Sequence, residues 1–405
     1  MKLLIAATIE GTLRSFLLPF ARHFRELGWR VDCMAQGASS CAECQGEFDH
    51  TWEAAWSRSP WNPDNLKIAI GQVRSLVGSE EYDLVHVHTP VAAFVTRLAL
   101  RGLRRRGLVK VVYTAHGFHF HRAGSPVKNL VFRLLEWGAG QWTDYLVVIN
   151  REDEDAAKAY RLLPAERVVY MPGIGVDTGL LDPDRVAEER IQALRDGLGL
   201  SDGDKLISML AWFEPRKRHQ DAIRAIAALR RSDVHLALAG DGKLLDPMKR
   251  LASDMGIARQ VHFLGAVSDV APLIRASAAT LLPSSREGLA RSVMESLSLA
   301  VPVIGTNARG VGELLSGGGG LVVGVGDVPA LSRAIQRLLD HPAEARAMGR
   351  AGRARMQSYD IRHILKLHED LYGRAVPSEL SRENSLWDKG QQHPKVLSAR
   401  AGGSA

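Results

Sequence analysis

The chain is built as an alternation, and the alternation starts twice. Residues 2–8 (KLLIAAT) are an apolar run, and a stretch of helical spacing follows over 16–27, ending at Gly28. Further short apolar runs lie at 30–35, 84–88 (LVHVH), 109–114 (VKVVYT) and 145–149 (YLVVI), with helical stretches such as 91–106 between them. Runs this short, rich in Val, Ile and Leu and separated by helices, belong to a parallel sheet covered on both faces. The segment 171–177 (MPGIGVD) breaks the pattern with Pro172, Gly173 and Gly175. It then begins again at 206–210, 234–239, 261–264, 279–282 and 301–305. The expectation is an α/β protein with two Rossmann-like domains, 1–175 and 177–355. The helical periodicity over 360–372 closes the fold, so 356–375 is expected to pack back on the first domain. Beyond Val376 the composition turns polar and loses its period, so 376–405 reads as a disordered tail. Two such domains imply a cleft, with ligands beyond the carboxyl ends of the strands.

A chain of 405 residues, 46% apolar and 24% charged, has ordinary globular composition, which excludes a mostly disordered, collagenous or coiled-coil protein. Charges interrupt every apolar stretch before the roughly 18 residues that a membrane span needs. The first residues enter a strand directly and carry no cleavage site, so neither a transmembrane helix nor a signal peptide is expected. Cys33, Cys41 and Cys44 make no disulfide framework. The lone C-x-x-C of Cys41 and Cys44 reads as reduced cytosolic thiols on a loop rather than as a zinc or redox pair.

The net charge of +7 points to anionic partners: nucleic acid, phosphorylated substrates or an anionic membrane. The excess is local. Residues 84–135 contain no Asp or Glu, yet hold Arg97, Arg101, Arg104, Arg105, Arg106, Lys110, Arg122, Lys128 and Arg133. The stretch 127–137 (VKNLVFRLLEW) sets Leu130, Val131, Leu134, Leu135 and Trp137 largely on one side. Lys128 and Arg133 are placed to reach lipid head groups. A buried helix beside a solvated basic turn is the alternative.

Four clusters could carry chemistry. Pro283-Ser284-Ser285-Arg286-Glu287-Gly288-Leu289 follows the run 279–282, with Glu295 eight residues beyond Glu287. Such a segment suits a strand-to-helix turn with Glu287 at the helix entrance. Eight residues of helix rise about 12 Å, which would separate two hydroxyl-binding carboxylates by the distance from hexose to ribose in a nucleotide-sugar. The helix N-terminus would favour the diphosphate between them. The competing reading is a capping Glu287 and a solvated Glu295. Arg216, Lys217 and Arg218 follow the run 206–210, where cations can neutralise a phosphate; a basic solvated turn is the alternative. His116, Gly117, His119 and His121 follow the run 109–114, with His116 at the strand edge. Without a carboxylate or Cys neighbour they make a poor metal site. His86 and His88 read as core or cleft-lining. Gly11, after the first strand, can bring backbone near a phosphate, but no G-x-G-x-x-G follows, which counts against a dinucleotide enzyme.

Taken together, Gly240-Asp241-Gly242, His262-Phe263-Leu264-Gly265, Pro283-Ser284 with Glu287 and Glu295, and Ala300-Val301-Pro302-Val303-Ile304 resemble the C-terminal domain of glycosyltransferase family 4. Thr89-Pro90, 114–120 (TAHGFHF) and 172–177 (PGIGVD) resemble the subset that builds capsule, exopolysaccharide or lipopolysaccharide units. The resemblance implies the GT-B fold, two Rossmann-like domains facing across a cleft with a C-terminal helix crossing back. It also implies a retaining glycosyltransferase with a nucleotide-sugar as co-substrate. No metal is expected, because the chain shows no Asp-x-Asp element of the metal-dependent type: Asp182-Pro183-Asp184 has the letters but sits on a proline-broken loop just past the linker. Residue by residue, it implies that Glu287, Gly288 and Leu289 meet the donor sugar, Glu295 the ribose, Lys217 the diphosphate, His116 the donor sugar and acceptor, and Gly11 the β-phosphate. One departure stands out: where the family has an arginine five residues before the lysine, this chain has Trp212. Arg216, in preference to Arg218, is expected to supply the missing charge. The acceptor implied is a saccharide on a polyprenyl diphosphate. Arg104, Arg105, Arg106 and His119 would then face the acceptor and the inner face of the plasma membrane from a cytoplasmic enzyme. The rivals are a nucleotide-sugar 2-epimerase of the same fold, a catalytically dead scaffold, and a basic nucleic-acid-binding protein. No nucleic-acid-binding module is visible in the pattern.

Overall fold

The computed structural model describes residues 1–59, 62–121 and 124–377. Most of the tail expected at 376–405, and Arg122, lie outside the described residues. The chain forms two sheets. Strands β1 (Lys2–Ile9), β2 (Arg30–Gln36), β3 (His50–Glu53), β4 (Leu84–His88), β5 (Lys110–Ala115), β6 (Tyr145–Val148) and β7 (Val168–Tyr170) stand in the order β3-β2-β1-β4-β5-β6-β7. Strands β8 (Lys205–Leu210), β9 (Val234–Ala239), β10 (Val261–Gly265), β11 (Ser277–Leu282), β12 (Val303–Thr306) and β13 (Gly320–Val323) stand in the order β10-β9-β8-β11-β12-β13. Pairing is parallel, as Leu3 opposite both Val31 and Leu84, and Ser208 opposite Ala237 and Thr280, illustrate. Both are doubly wound orders. The direction of winding reverses at β1/β4 in one sheet and at β8/β11 in the other, and ligands bind outside the carboxyl ends of the strands at such a reversal.

The central strands are those with unbroken apolar sequence, and they are buried on both faces: all six inner residues of β1 and the last five of β8 are covered. The strands that the apolar pattern does not mark are β3, β7 and β13. Each ends a sheet in the orders above, each is four residues or fewer, and each is only partly covered. Being short and only partly covered, these three lack the continuous apolar run that identifies a central strand, while the remaining edge, β10, keeps the run 261–264.

The chain divides into two compact units. The first holds Met1–Tyr113, Trp142–Tyr145 and the described chain from Glu369 on; the second holds Thr114–Gln141 and Leu146–His368. The last helix, Ile361–Ala375, begins in the second unit and ends in the first. Within the first unit its Tyr372 hydroxyl meets His86 Nδ1 at 2.5 Å, and its ring lies 5.0 Å from that of Phe24. His86 and His88 are buried.

Three expectations change. The helical chain after β1 begins at Glu10, not at residue 16, and passes through a π-type turn, Leu13–Leu17, into Leu18–Glu26. Cys41 and Cys44 are disulfide-bonded rather than reduced thiols on a loop; Cys41 caps the helix Ala42–Glu47 and Cys44 is buried within it. The basic field of 84–135 is thinner than its residue count suggests. Arg97 is only 1% exposed, stacked over Tyr113 and bonded to the Ala93 carbonyl. Arg104 is tied to Asp144 at 3.0 Å and to the Thr143 carbonyl. Arg101, Arg105 and Arg106 are exposed.

The second unit buries histidines in neutral form. His219 is stacked 4.1 Å from Phe213, and His368 bonds the Ile364 carbonyl. Burial lowers both to about 4. An unfolded chain takes up these protons near pH 6.5, the native protein only near 4. Stability is therefore full above about pH 6.5 and falls as pH drops toward 4, by up to about 1.4 kcal/mol per pH unit for each group. Thermal unfolding between pH 7.5 and 4.5 should show that fall. H219F, which keeps the stacked ring and removes the titration, should show a smaller one; equal falls would remove His219 from the account.

Candidate active site

Two loops at the winding reversal of the second sheet meet over one carboxylate. Beyond β8, Pro215–Lys217 makes a single 3-10 turn, and beyond β11 the chain runs through Pro283–Ala290 before the helix Arg291–Ser298. The Ser285 amide donates to the Arg216 carbonyl at 2.8 Å and joins them. Glu287, only 6% exposed, accepts from Lys217 Nζ at 2.7 Å on one oxygen and from Arg216 Nη1 at 2.9 Å on the other. Arg216 also pairs with Glu214 at 2.6 Å. A buried carboxylate with a separate cation on each oxygen is satisfied, and the cations are fixed in place by it.

The helix starts at Arg291, so Glu287 stands on the loop and not at the helix entrance. The spacing to Glu295 is half loop, and the separation expected from eight helical residues does not apply. Glu295 accepts from Arg291 at 2.8 Å, and burial raises its pKa. Arg218 has a left-handed backbone and forks onto Asp221. Of the two candidates to replace the cation missing at the exposed Trp212, only Arg216 touches Glu287.

The loop after β5 comes against the loop after β11. A side chain at Gly288 would put its Cβ 2.0 Å from the His116 carbonyl oxygen, and one at Gly310 would meet the Gly288 carbonyl at 2.1 Å. Only glycine permits this approach. His116, Gly117, Phe118, His119, Arg216, Arg286, Glu287, Gly288 and Arg309 line one cavity of about 140 Å³. His116 is lowered to about 4 by burial and by His368, so it is neutral near pH 7. His119 is lowered by burial and by Arg286. Leu289 packs over Gly173, where a Cβ would come within 2.5 Å of it.

Arg309 and Asp153 were not read from the sequence as site residues. Arg309, on the turn after β12, donates to Asp153 at 2.8 Å and to the Phe118 carbonyl at 3.0 Å. Asp153 is buried, bonded to the Asn150 amide and the Phe118 N–H. Burial raises its pKa against the pull of Arg309. The signal was an Asn-x-x-Asp helix start after β6 and an Arg-Gly pair after β12, both at strand carboxyl ends. Gly11, Arg104, Arg105 and Arg106 belong to the other compact unit. Gly11 sits in the first helical turn after β1, where a Cβ would find ordinary contact. No group of three or more His, Cys, Asp or Glu placed to hold a metal occurs among the described residues.

Known proteins share this framework. Residues 190–355 match the model of glycosyl transferases group 1, and residues 15–179 that of glycosyltransferase family 4. The Bacillus subtilis protein EpsD, which carries the name of a glycosyltransferase, is 33% identical over 95% of this chain and 99% of its own length. A GDP-mannose-dependent phosphatidylinositol monomannoside mannosyltransferase of Mycolicibacterium smegmatis is 32% identical over 76% of this chain and 81% of its own. The Escherichia coli UDP-Gal:α-D-GlcNAc-diphosphoundecaprenol α-1,3-galactosyltransferase is 26% identical over 65% and 68%. Among solved structures, Anabaena HepE with UDP and glucose superposes with a TM-score of 0.77 at 20% identity, covering 92% of this chain and 99% of that one. Two doubly wound sheets, paired carboxylate and cation loops at a winding reversal, and these matches lead to one conclusion: the chain belongs to the family 4, group 1 glycosyltransferases and has the GT-B fold.

Proposed function

We propose that this glycosyltransferase moves a sugar, with retention of anomeric configuration, from a nucleotide-sugar to a saccharide carried on a polyprenyl diphosphate, in surface-polysaccharide synthesis. The observation that carries the reading is Glu287 held between Lys217 and Arg216. Breaking the bond between sugar and phosphate leaves positive charge on the sugar and negative charge on the departing diphosphate. A diphosphate entering beside Glu287 would draw on the same two cations and free the carboxylate to bind sugar hydroxyls. The neutral His116 on the cavity wall would donate or accept one hydrogen bond at the sugar or the acceptor, Glu295 would hold the ribose, and Gly11 would serve the β-phosphate. The cations would stabilise the leaving group without a metal ion. Relatives named for UDP-galactose and for GDP-mannose leave the nucleotide open. Both are also named for lipid-linked acceptors, which supports the acceptor class.

An acceptor of this class would bring the enzyme to the inner face of an anionic membrane. No helix among the described residues is long and apolar enough to cross a bilayer. The helix Pro126–Gly140, however, leaves Val127, Leu130, Val131, Leu134, Leu135 and Trp137 at 45% exposure or more. That is the outcome a buried helix would not give, and an apolar stripe of this kind suits the interface of a bilayer. The exposed Arg101, Arg105 and Arg106 would add electrostatic attraction of about 1 kcal/mol each.

Two outcomes are expected. With the donor identified from UDP-, GDP- and dTDP-sugars, K217A should lower kcat by about 10²-fold or more, and R216A should cost more than R218A. Activity should survive chelation, and NMR of the product should show the donor's anomeric configuration. Equal small effects in all three variants would place the diphosphate elsewhere; activity lost to chelator and restored by Mg²⁺ or Mn²⁺ would overturn the metal-free reading. In sedimentation with anionic vesicles, R105E/R106E and L130D/L134D should each reduce binding, and wild-type binding should weaken with salt. Normal sedimentation by both variants would remove the membrane from the proposal.

A further inference from the structure

The cavity holds more positive charge than the proposed transfer uses. Lys217 and Arg216 share Glu287, Arg216 also has Glu214, and Arg309 is matched by Asp153. Arg286 lines the same cavity, and its guanidinium has no carboxylate or carbonyl partner among the described residues. Burial, Arg309 and Arg216, in that order, lower its pKa, and the pull of Glu287 and Glu214, both already paired with other cations, does not offset them. Arg286 shares this cavity with Gly117, Phe118 and His119 of the segment after β5. A partly buried guanidinium that borders a cavity and makes no ion pair of its own gains when an anion arrives.

We propose that Arg286, with Arg309 beside it, forms an anion subsite separate from the Lys217–Arg216 pair, taking a carboxylate or phosphate oxyanion held next to the transferred sugar. The proposal rests on the reading that this cavity receives the donor sugar at Glu287. The oxyanion has two possible sources, a carboxylate on the donor sugar itself or a phosphate of the acceptor. Asp153 fixes Arg309, so Arg309 positions the subsite while Arg286 supplies a charge that has no ion pair of its own.

Calorimetric titration of the full chain separates these cases. UDP and GDP are first titrated into wild type, R286Q and R216Q. With the nucleotide that binds more tightly, the uronate and neutral sugar forms are then compared: UDP-glucuronate against UDP-glucose, or GDP-mannuronate against GDP-mannose. Finally inorganic pyrophosphate, standing in for the acceptor's diphosphate, is titrated into protein saturated with the nucleotide. R286Q should leave nucleotide affinity within about twofold, and R286K should retain most of the wild-type behaviour. R286Q should cost about tenfold in one arm: loss of the uronate preference identifies a sugar carboxylate, loss of pyrophosphate binding an acceptor phosphate. The ligand-free R286Q protein should melt higher than wild type, because a partly buried charge with no ion pair of its own is gone. An R286Q protein that loses nucleotide affinity as R216Q does would assign Arg286 to the donor diphosphate and overturn the proposal. So would one unchanged in both arms. Failure of wild type to bind either nucleotide would defeat the donor reading itself, and is distinguishable because it does not depend on Arg286.

Discussion

The site is organised around one buried carboxylate that is claimed by two cations. Glu287 is carried on a loop with little regular structure, and left alone it would be an uncompensated charge in a largely covered position, which is strongly unfavourable. Lys217 and Arg216 remove that penalty, one on each oxygen. The same bonds hold two flexible side chains where they can meet a second anion. On the proposed function, such a site is preorganised for exchange: a diphosphate would replace the carboxylate as partner of the cations, and the carboxylate would become available to sugar hydroxyls.

The fold makes this pairing possible through connectivity. β8 and β11 are far apart in sequence but adjacent in the second sheet, at the point where its winding reverses. Their following loops therefore emerge side by side, and the Ser285–Arg216 backbone bond closes the gap. A third loop, after β12, brings Arg309 and Gly310 against Gly288. Glycine at 288 and 310 lets backbone come within contact distance where a Cβ could not fit. The Asp153–Arg309 pair shows how the scaffold spends a buried charge on position, since both groups are enclosed and each satisfies backbone around Phe118.

Much of this was legible in the sequence, for reasons that also mark where legibility ends. Central strands such as β1 and β8 are buried on both faces, so their apolar runs are continuous and their ends were placed to within a residue or two. β3, β7 and β13 are short, partly covered edges without such a run, whereas the fourth edge, β10, keeps one and was read. Glu287, Lys217 and Arg216 follow strong strands directly, so strand ends pointed to them. Arg309 and Asp153 lie in different βα units, and nothing local in either segment reveals that they meet. The thiols of Cys41 and Cys44 were misjudged because a single C-x-x-C carries no sign of its bonding state. The charge excess over 84–135 was read correctly in sign but not in exposure: Arg97 spends its charge on Tyr113 and backbone, and Arg104 on Asp144.

On the proposed function, Glu287 and the donor diphosphate draw on the same cations. Calorimetric titration of UDP and GDP into E287Q tests this most directly. Replacing the carboxylate with a neutral amide should leave Lys217 and Arg216 without their internal counter-ion, so the better nucleotide should bind several-fold more tightly than to wild type while sugar transfer falls steeply. Weaker nucleotide binding by a correctly folded E287Q protein would contradict the account.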